Sequence, residues 1–104
     1  MARFVTVART SEIPPGERDV FEIEGLYIAV FNVGGAYYAI QDICTHDDGP
    51  LADGELDGFE IECPRHGARF DIRNGSVKQM PAVIPVQWYP TRVENDAIQI
   101  GLED

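Results

Sequence analysis

Apolar residues in this chain alternate with polar ones over short runs that turn dipeptides cut off every few residues, a pattern that favours antiparallel strands over helices. "RFVTVA" and "DVFEIEG" alternate in this way, and "GLYIAVF" leads through "NVGG" into "AYYAI". In "ELDGFEIE" and "FDIRNGSVK" the pairs Asp57-Gly58 and Asn74-Gly75 sit between β-prone runs. Such pairs tolerate positive φ and favour two-residue hairpin loops. "VQWYPTRV" and "AIQIGL" flank "END" as a last hairpin, with Pro90 at a bulge or an edge because proline has no N–H for a ladder. Roughly nine or ten strands at this spacing predict an all-β chain, an antiparallel β-sandwich or small barrel. At 104 residues the chain is expected to be one domain, 1–104, with "SEIPPGERD" as a proline-bearing loop.

Charge and hydropathy narrow the partners. Eight Lys and Arg against 18 Asp and Glu give a net charge of -10, which repels phosphate backbones and argues against nucleic acid. A basic protein surface is the natural electrostatic complement. The longest apolar run, "LYIAVF", falls far short of the roughly 20 residues of a membrane span, and the N-terminus lacks an export pattern. A cytoplasmic location with no membrane association is therefore expected. Without an export signal, two cysteines favour a thiol or metal role over a disulfide.

The two cysteines and two histidines all fall between residues 44 and 66. Cys44-Thr45-His46 follows the strand "AYYAI" and Cys63-Pro64-Arg65-His66 follows "FEIE", so each pair lies on a loop beyond a strand end. Two loops can then converge on one metal while the hairpins hold them. Cys44, His46, Cys63 and His66 are the candidate ligands. Zinc and iron–sulfur chemistry both use such residues. Zinc knuckles commonly separate paired ligands by two to four residues, whereas one residue separates the first pair here.

The C-x-H and C-x2-H pairs, Pro50-Leu51, and "DGELDGFEIECPRHGARFDIRNGSVKQMPA" together resemble the cluster-binding region of Rieske-type ferredoxins. The resemblance is to the ferredoxin components of bacterial aromatic-ring dioxygenase systems in particular. It implies one [2Fe-2S] cluster, with Cys44 and Cys63 on one iron and His46 and His66 on the other. It also implies a cluster-binding subdomain whose loops lie within 42–85. Leu51 and Met80-Pro81-Ala82 would shield the cluster, and the outer nitrogens of His46 and His66 would lie near the surface. Gly67 is expected to permit close backbone approach. The family's activity would make the chain a one-electron carrier and not an enzyme. It would shuttle between an NAD(P)H-dependent flavin reductase and a terminal ring-hydroxylating oxygenase.

The mixed ligand set carries less negative charge than four thiolates, which places the class at roughly -150 to +300 mV against about -400 mV for plant-type clusters. High-potential members have an extra cysteine pair bridging the loops. This chain has no cysteines left for that bridge, so the low end of the range is expected. From 42 to 62 there are eight carboxylates (Asp42, Asp47, Asp48, Asp53, Glu55, Asp57, Glu60 and Glu62) and no Lys or Arg, which suggests a docking face. Arg65, Arg69, Arg73 and Lys78 follow and partly offset it. Trp88 and the tyrosines read as core packing rather than electron relays.

No histidine remains for a separate mononuclear iron, and Gly34-Gly35 sits in a turn rather than in a nucleotide-binding fingerprint. Three alternatives stay open: a small Rieske subunit fixed in a larger oxidoreductase, a redox sensor, or a zinc-stabilised interaction module.

Overall fold

The computed structural model describes residues 2–45 and 48–103. Among them the chain forms eleven strands and one 3-10 turn, Thr10–Glu12, with no α-helix. The strands are β1 (Ala2–Arg9), β2 (Arg18–Ile23), β3 (Leu26–Val33), β4 (Ala36–Gln41), β5 (Leu56–Asp57), β6 (Glu60–Glu62), β7 (Arg69–Asp71), β8 (Val77–Gln79), β9 (Trp88–Tyr89), β10 (Thr91–Glu94) and β11 (Ala97–Glu103). They make three antiparallel sheets, ordered β1-β11-β10, β2-β3-β4-β9 and β5-β6-β7-β8.

The second sheet is the shared middle layer. In β3 the five residues from Ile28 to Asn32 are all buried, which the alternating faces of one strand explain. Ile28 and Val30 join Ala39, Tyr89, Ile98 and Ile100 in a core against the first sheet. Ala29 and Phe31 join Ile40, Ile61, Phe70 and both cysteines in a core against the third. Truncating a side chain such as Phe31 should therefore cost about 3 kcal/mol or more. Asn32, the buried polar member of β3, is satisfied by donating to the Ile13 carbonyl at 2.8 Å and accepting from the Gly35 amide at 2.8 Å.

Three details of the expected strand pattern change. "VQWYPTRV" is two strands in different sheets: β9 pairs with β4 and β10 with β11. Pro90 lies where the chain crosses between the sheets, and its carbonyl accepts the Gly101 amide at 2.8 Å. β9 and β10 are both edge strands, as expected for Pro90, and the missing N–H marks a switch between two sheet edges instead of a bulge within one ladder. Because Asp57 pairs with Glu60, the loop is Gly58-Phe59, with Gly58 at φ 63 in the first loop position. Asn74-Gly75 makes no two-residue loop. Asp71 and Ser76 close a longer turn, in which the Gly75 amide donates to the Asp71 carbonyl and the Asp71 amide to the Ser76 carbonyl.

Trp88 is 44% exposed while its neighbour Tyr89 is buried, so Trp88 is not a core residue. Alternation along a two-residue strand turns one ring in and the other out. Tyr27 is likewise exposed, and Tyr37 and Tyr38 are half-buried.

Candidate metal centre

Cys44 follows β4 and Cys63 follows β6, both strands that feed the same core, and both cysteines have no exposed surface. They share an apolar cluster with Leu51, Ala68 and Ala82, and neither is in a disulfide. The loops that carry them have the same backbone frame. The Cys44 amide donates to the Gly49 carbonyl at 2.7 Å, and the Asp48 amide to the Cys44 carbonyl at 2.7 Å. The Cys63 amide donates to the Ala68 carbonyl at 2.7 Å, and the Gly67 amide to the Cys63 carbonyl at 3.1 Å. Each cysteine is thus bonded to residues four and five positions ahead.

The residue four ahead has positive φ in both loops, 61 at Asp48 and 79 at Gly67. Glycine reaches that conformation without strain, and Asp is among the few other residues that visit it. A Cβ at Gly67 would meet nothing nearer than Gln79 Nε2 at 3.9 Å, so the glycine serves the bend of the loop and not a close protein contact. By sequence Asp48 reads only as a member of the acidic run, with no part in the cysteine loop. Its shared offset from a cysteine was the available signal.

His66 lies on the exposed side of the second loop, opposite in character to the buried Cys63. The expectation at His46 falls outside the described residues. Among the described residues no three or more Cys, His, Asp and Glu side chains are gathered as an ion site.

Further contacts fix the loops to their surroundings. Asp42 Oδ1 accepts the amides of Leu51 and Ala52 at 2.8 and 2.7 Å. Arg18 Nη1 donates to the carbonyls of Ala52 and Gly54 at 2.9 and 2.6 Å. Gln79 Nε2 donates to the Gly67 carbonyl at 2.8 Å, and the Thr45 hydroxyl donates to the Ile84 carbonyl. The expected shield holds only in part. Leu51 and Ala82 are buried with the cysteines, whereas Met80 is 74% exposed. Val83 and Ile84, 77% and 60% exposed, extend an apolar collar from Met80 beside both loops.

The acidic run is less open than its sequence suggests. Asp42 is turned inward to the amides it caps, and Arg69 gathers three others, reaching Glu62 at 2.8 Å, Asp57 at 3.4 Å and Glu60 at 3.7 Å. Asp48, Asp53 and Glu55 are the described members that remain exposed without such a contact.

A Rieske [2Fe-2S] domain model matches residues 3–90, most of the chain. The chain belongs to the Rieske [2Fe-2S] domain family. It is 36% identical over 97 residues to the "Biphenyl 2,3-dioxygenase, ferredoxin component" of Rhodococcus jostii (strain RHA1), covering 93% of this chain and 91% of that protein. In structure it resembles the ferredoxin of carbazole 1,9a-dioxygenase from Nocardioides aromaticivorans IC177, with a TM-score of 0.89 and 34% identity over 93% of this chain and 95% of the other. It also resembles a chain in a complex of reduced oxygenase and oxidised ferredoxin in carbazole 1,9a-dioxygenase, with a TM-score of 0.87 and 32% identity over 93% and 91%. The Rieske domain implies an iron–sulfur cluster, and the chemistry at the two loops fits one. Buried thiols reach in from twin loops, and an imidazole stands at the outer side of one of them.

Proposed function

We propose that this Rieske protein is a cytoplasmic one-electron carrier acting as a single domain. It takes electrons from a flavin-containing reductase and delivers them to a terminal ring-hydroxylating oxygenase. The observation that carries this reading is the pair of matching loops that bury Cys44 and Cys63 in one apolar cluster while leaving His66 exposed. Cys44, Cys63, His46 and His66 would hold one [2Fe-2S] cluster, which supplies reversible one-electron chemistry when bound. The residues around it exclude water on the cysteine side, through Leu51, Ala68 and Ala82, and leave the histidine side for contact with a partner.

An oxygenase as acceptor is supported by the oxygenase–ferredoxin complex to which the chain is similar, and the apolar collar offers such a partner a dry contact. Redox encounters of this kind bury little surface, so the complexes should be short-lived. A lasting one-to-one complex through purification would favour the fixed-subunit alternative.

The test is metal and sulfide analysis with electron paramagnetic resonance of the dithionite-reduced protein. About two irons and two sulfides per chain and a paramagnetic reduced state are expected. A colourless protein containing zinc would overturn the proposal in favour of the interaction module.

A further inference from the structure

The turn at residues 51–54 lies between the first cysteine loop and the β5-β6 hairpin that leads to the second, and two side chains, one on the middle sheet and one just beyond it, bind its backbone. Asp42, one residue beyond β4, accepts the amides of Leu51 and Ala52 on a single carboxylate oxygen. Arg18, on β2, donates one guanidinium nitrogen to the carbonyls of Ala52 and Gly54. Its guanidinium carbon also lies 5.4 Å from the centroid of Phe31, a fully buried member of the cysteine cluster. Four backbone groups that need partners in a partly buried turn are thus met by charged ones, which make the stronger hydrogen bonds. On its far side the turn presses against β6. A Cβ on Gly54 would fall 1.7 Å from the Glu62 carbonyl oxygen, next to Cys63. The turn has no slack between the clamp and that strand.

Leu51 opens this turn and is buried in the same cluster as Cys44 and Cys63. We infer that Arg18 and Asp42 are positioning residues for the redox centre. They fix the turn that holds Leu51 over the cysteine side, and so set how much water reaches the cluster, its reduction potential and its lifetime. This rests on the Rieske reading above, in which the apolar shell of a metal site governs solvent access and potential. Arg18 lies outside the ligand loops and Asp42 at the start of the first, two residues before Cys44, and no ligand motif points to either.

The experiment compares the wild type with D42A, D42N, R18M and R18K as purified, cluster-bearing proteins. Three quantities are read: deuterium uptake by the peptide covering residues 50–56, the rate at which the visible absorbance bleaches in air, and the midpoint potential. D42A and R18M each remove two charge-assisted hydrogen bonds and should exchange about tenfold faster or more in that peptide. They should also bleach several-fold faster and shift in potential while keeping the wild-type paramagnetic signature. D42N should restore much of each property because its Oδ1 still accepts, and R18K should restore part. If R18M does not fold, R18K against the Asp42 pair decides the matter. Wild-type exchange, bleaching and potential in D42A and R18M would overturn the clamp, as would a D42N no better than D42A. A wild type that holds no cluster would sink the Rieske reading instead, and the exchange comparison would still decide whether the two residues hold the turn.

Discussion

Asp71 and Arg73 form a closed fork within one turn. The Arg73 Nε and Nη2 groups donate to the two carboxylate oxygens of Asp71 at 3.0 and 2.8 Å, and the Arg73 amide adds a third bond at 2.8 Å. Asp71 is 2% exposed, and the Arg73 guanidinium also lies 4.2 Å from the centroid of Phe59. The Arg73 side chain is the main cause holding the Asp71 carboxyl below its ordinary value of 3.8, against the opposing effect of burial. A depressed carboxyl pKa stabilises the fold fully above the ordinary value and loses that contribution as pH falls through the folded one. R73M should therefore unfold at lower urea than wild type at pH 7, with the gap narrowing as pH drops below about 4. A gap that stays constant with pH would show that the guanidinium acts by packing on Phe59 alone.

Replacing His66 by Cys tests the ligand assignment. A third thiolate adds negative charge, so if a cluster is retained the midpoint potential should fall by on the order of 100 mV toward the four-cysteine class. Cyclic voltammetry measures this, and an unchanged potential would remove His66 from the ligand set. Cys63→Ser should lose the visible absorbance in most of the protein.

Two glycines mark places where backbones touch. A Cβ on Gly54 would fall 1.7 Å from the Glu62 carbonyl oxygen, and one on Gly75 would fall 1.9 Å from that of Val86. Backbone cannot rotate away as a side chain tip can, so G54A and G75A should each cost about 3 kcal/mol in chemical denaturation. A cost under about 0.5 kcal/mol would mean that the seams open easily.

The collar should govern encounter and not stability. Met80 and Val83 expose most of their surface, so an M80S/V83S double variant should change unfolding free energy by no more than about 0.5 kcal/mol. Its electron-transfer rate to a cognate oxygenase, followed by stopped-flow, should fall about tenfold or more if these side chains anchor the contact. An unchanged rate would move the docking face elsewhere.

What the sequence made legible was local. The turns at Gly34-Gly35 and at Asn95-Asp96 appear where short β-prone runs meet, and such runs locate β1 to β4, β3 through a continuous apolar stretch and not through alternation. The two cysteines stand where loops leave β4 and β6, as their place after strands implied. Long-range partners were not legible. Arg18 meets carbonyls 34 and 36 residues away in a turn outside its own sheet, and Arg69 gathers carboxylates from β5 and β6 through the pairing register of one sheet. Layer packing and strand register set these contacts, rather than any nearby pattern. Pro90 was readable as a break in a ladder, but the sheet change it permits depends on Gly101 giving up its side chain. A Cβ there would lie 2.7 Å from the proline ring. Trp88 went wrong for a related reason: in a strand of two residues, size says less about burial than which way the pleat points.

The collar is tethered at both ends by groups that its own outward side chains do not supply. Gln79, just before it, holds the Gly67 carbonyl, and the Val86 amide, just after it, bonds the Gly75 carbonyl at 2.9 Å. Within it, Thr45 grips Ile84 by the main chain. The side chains at 80, 83 and 84 are therefore free to drift in evolution, or to be grafted from a relative, while the ligand loops stay as they are. A lineage could re-address one electron carrier to a new oxygenase by rewriting three residues and leaving its redox chemistry untouched.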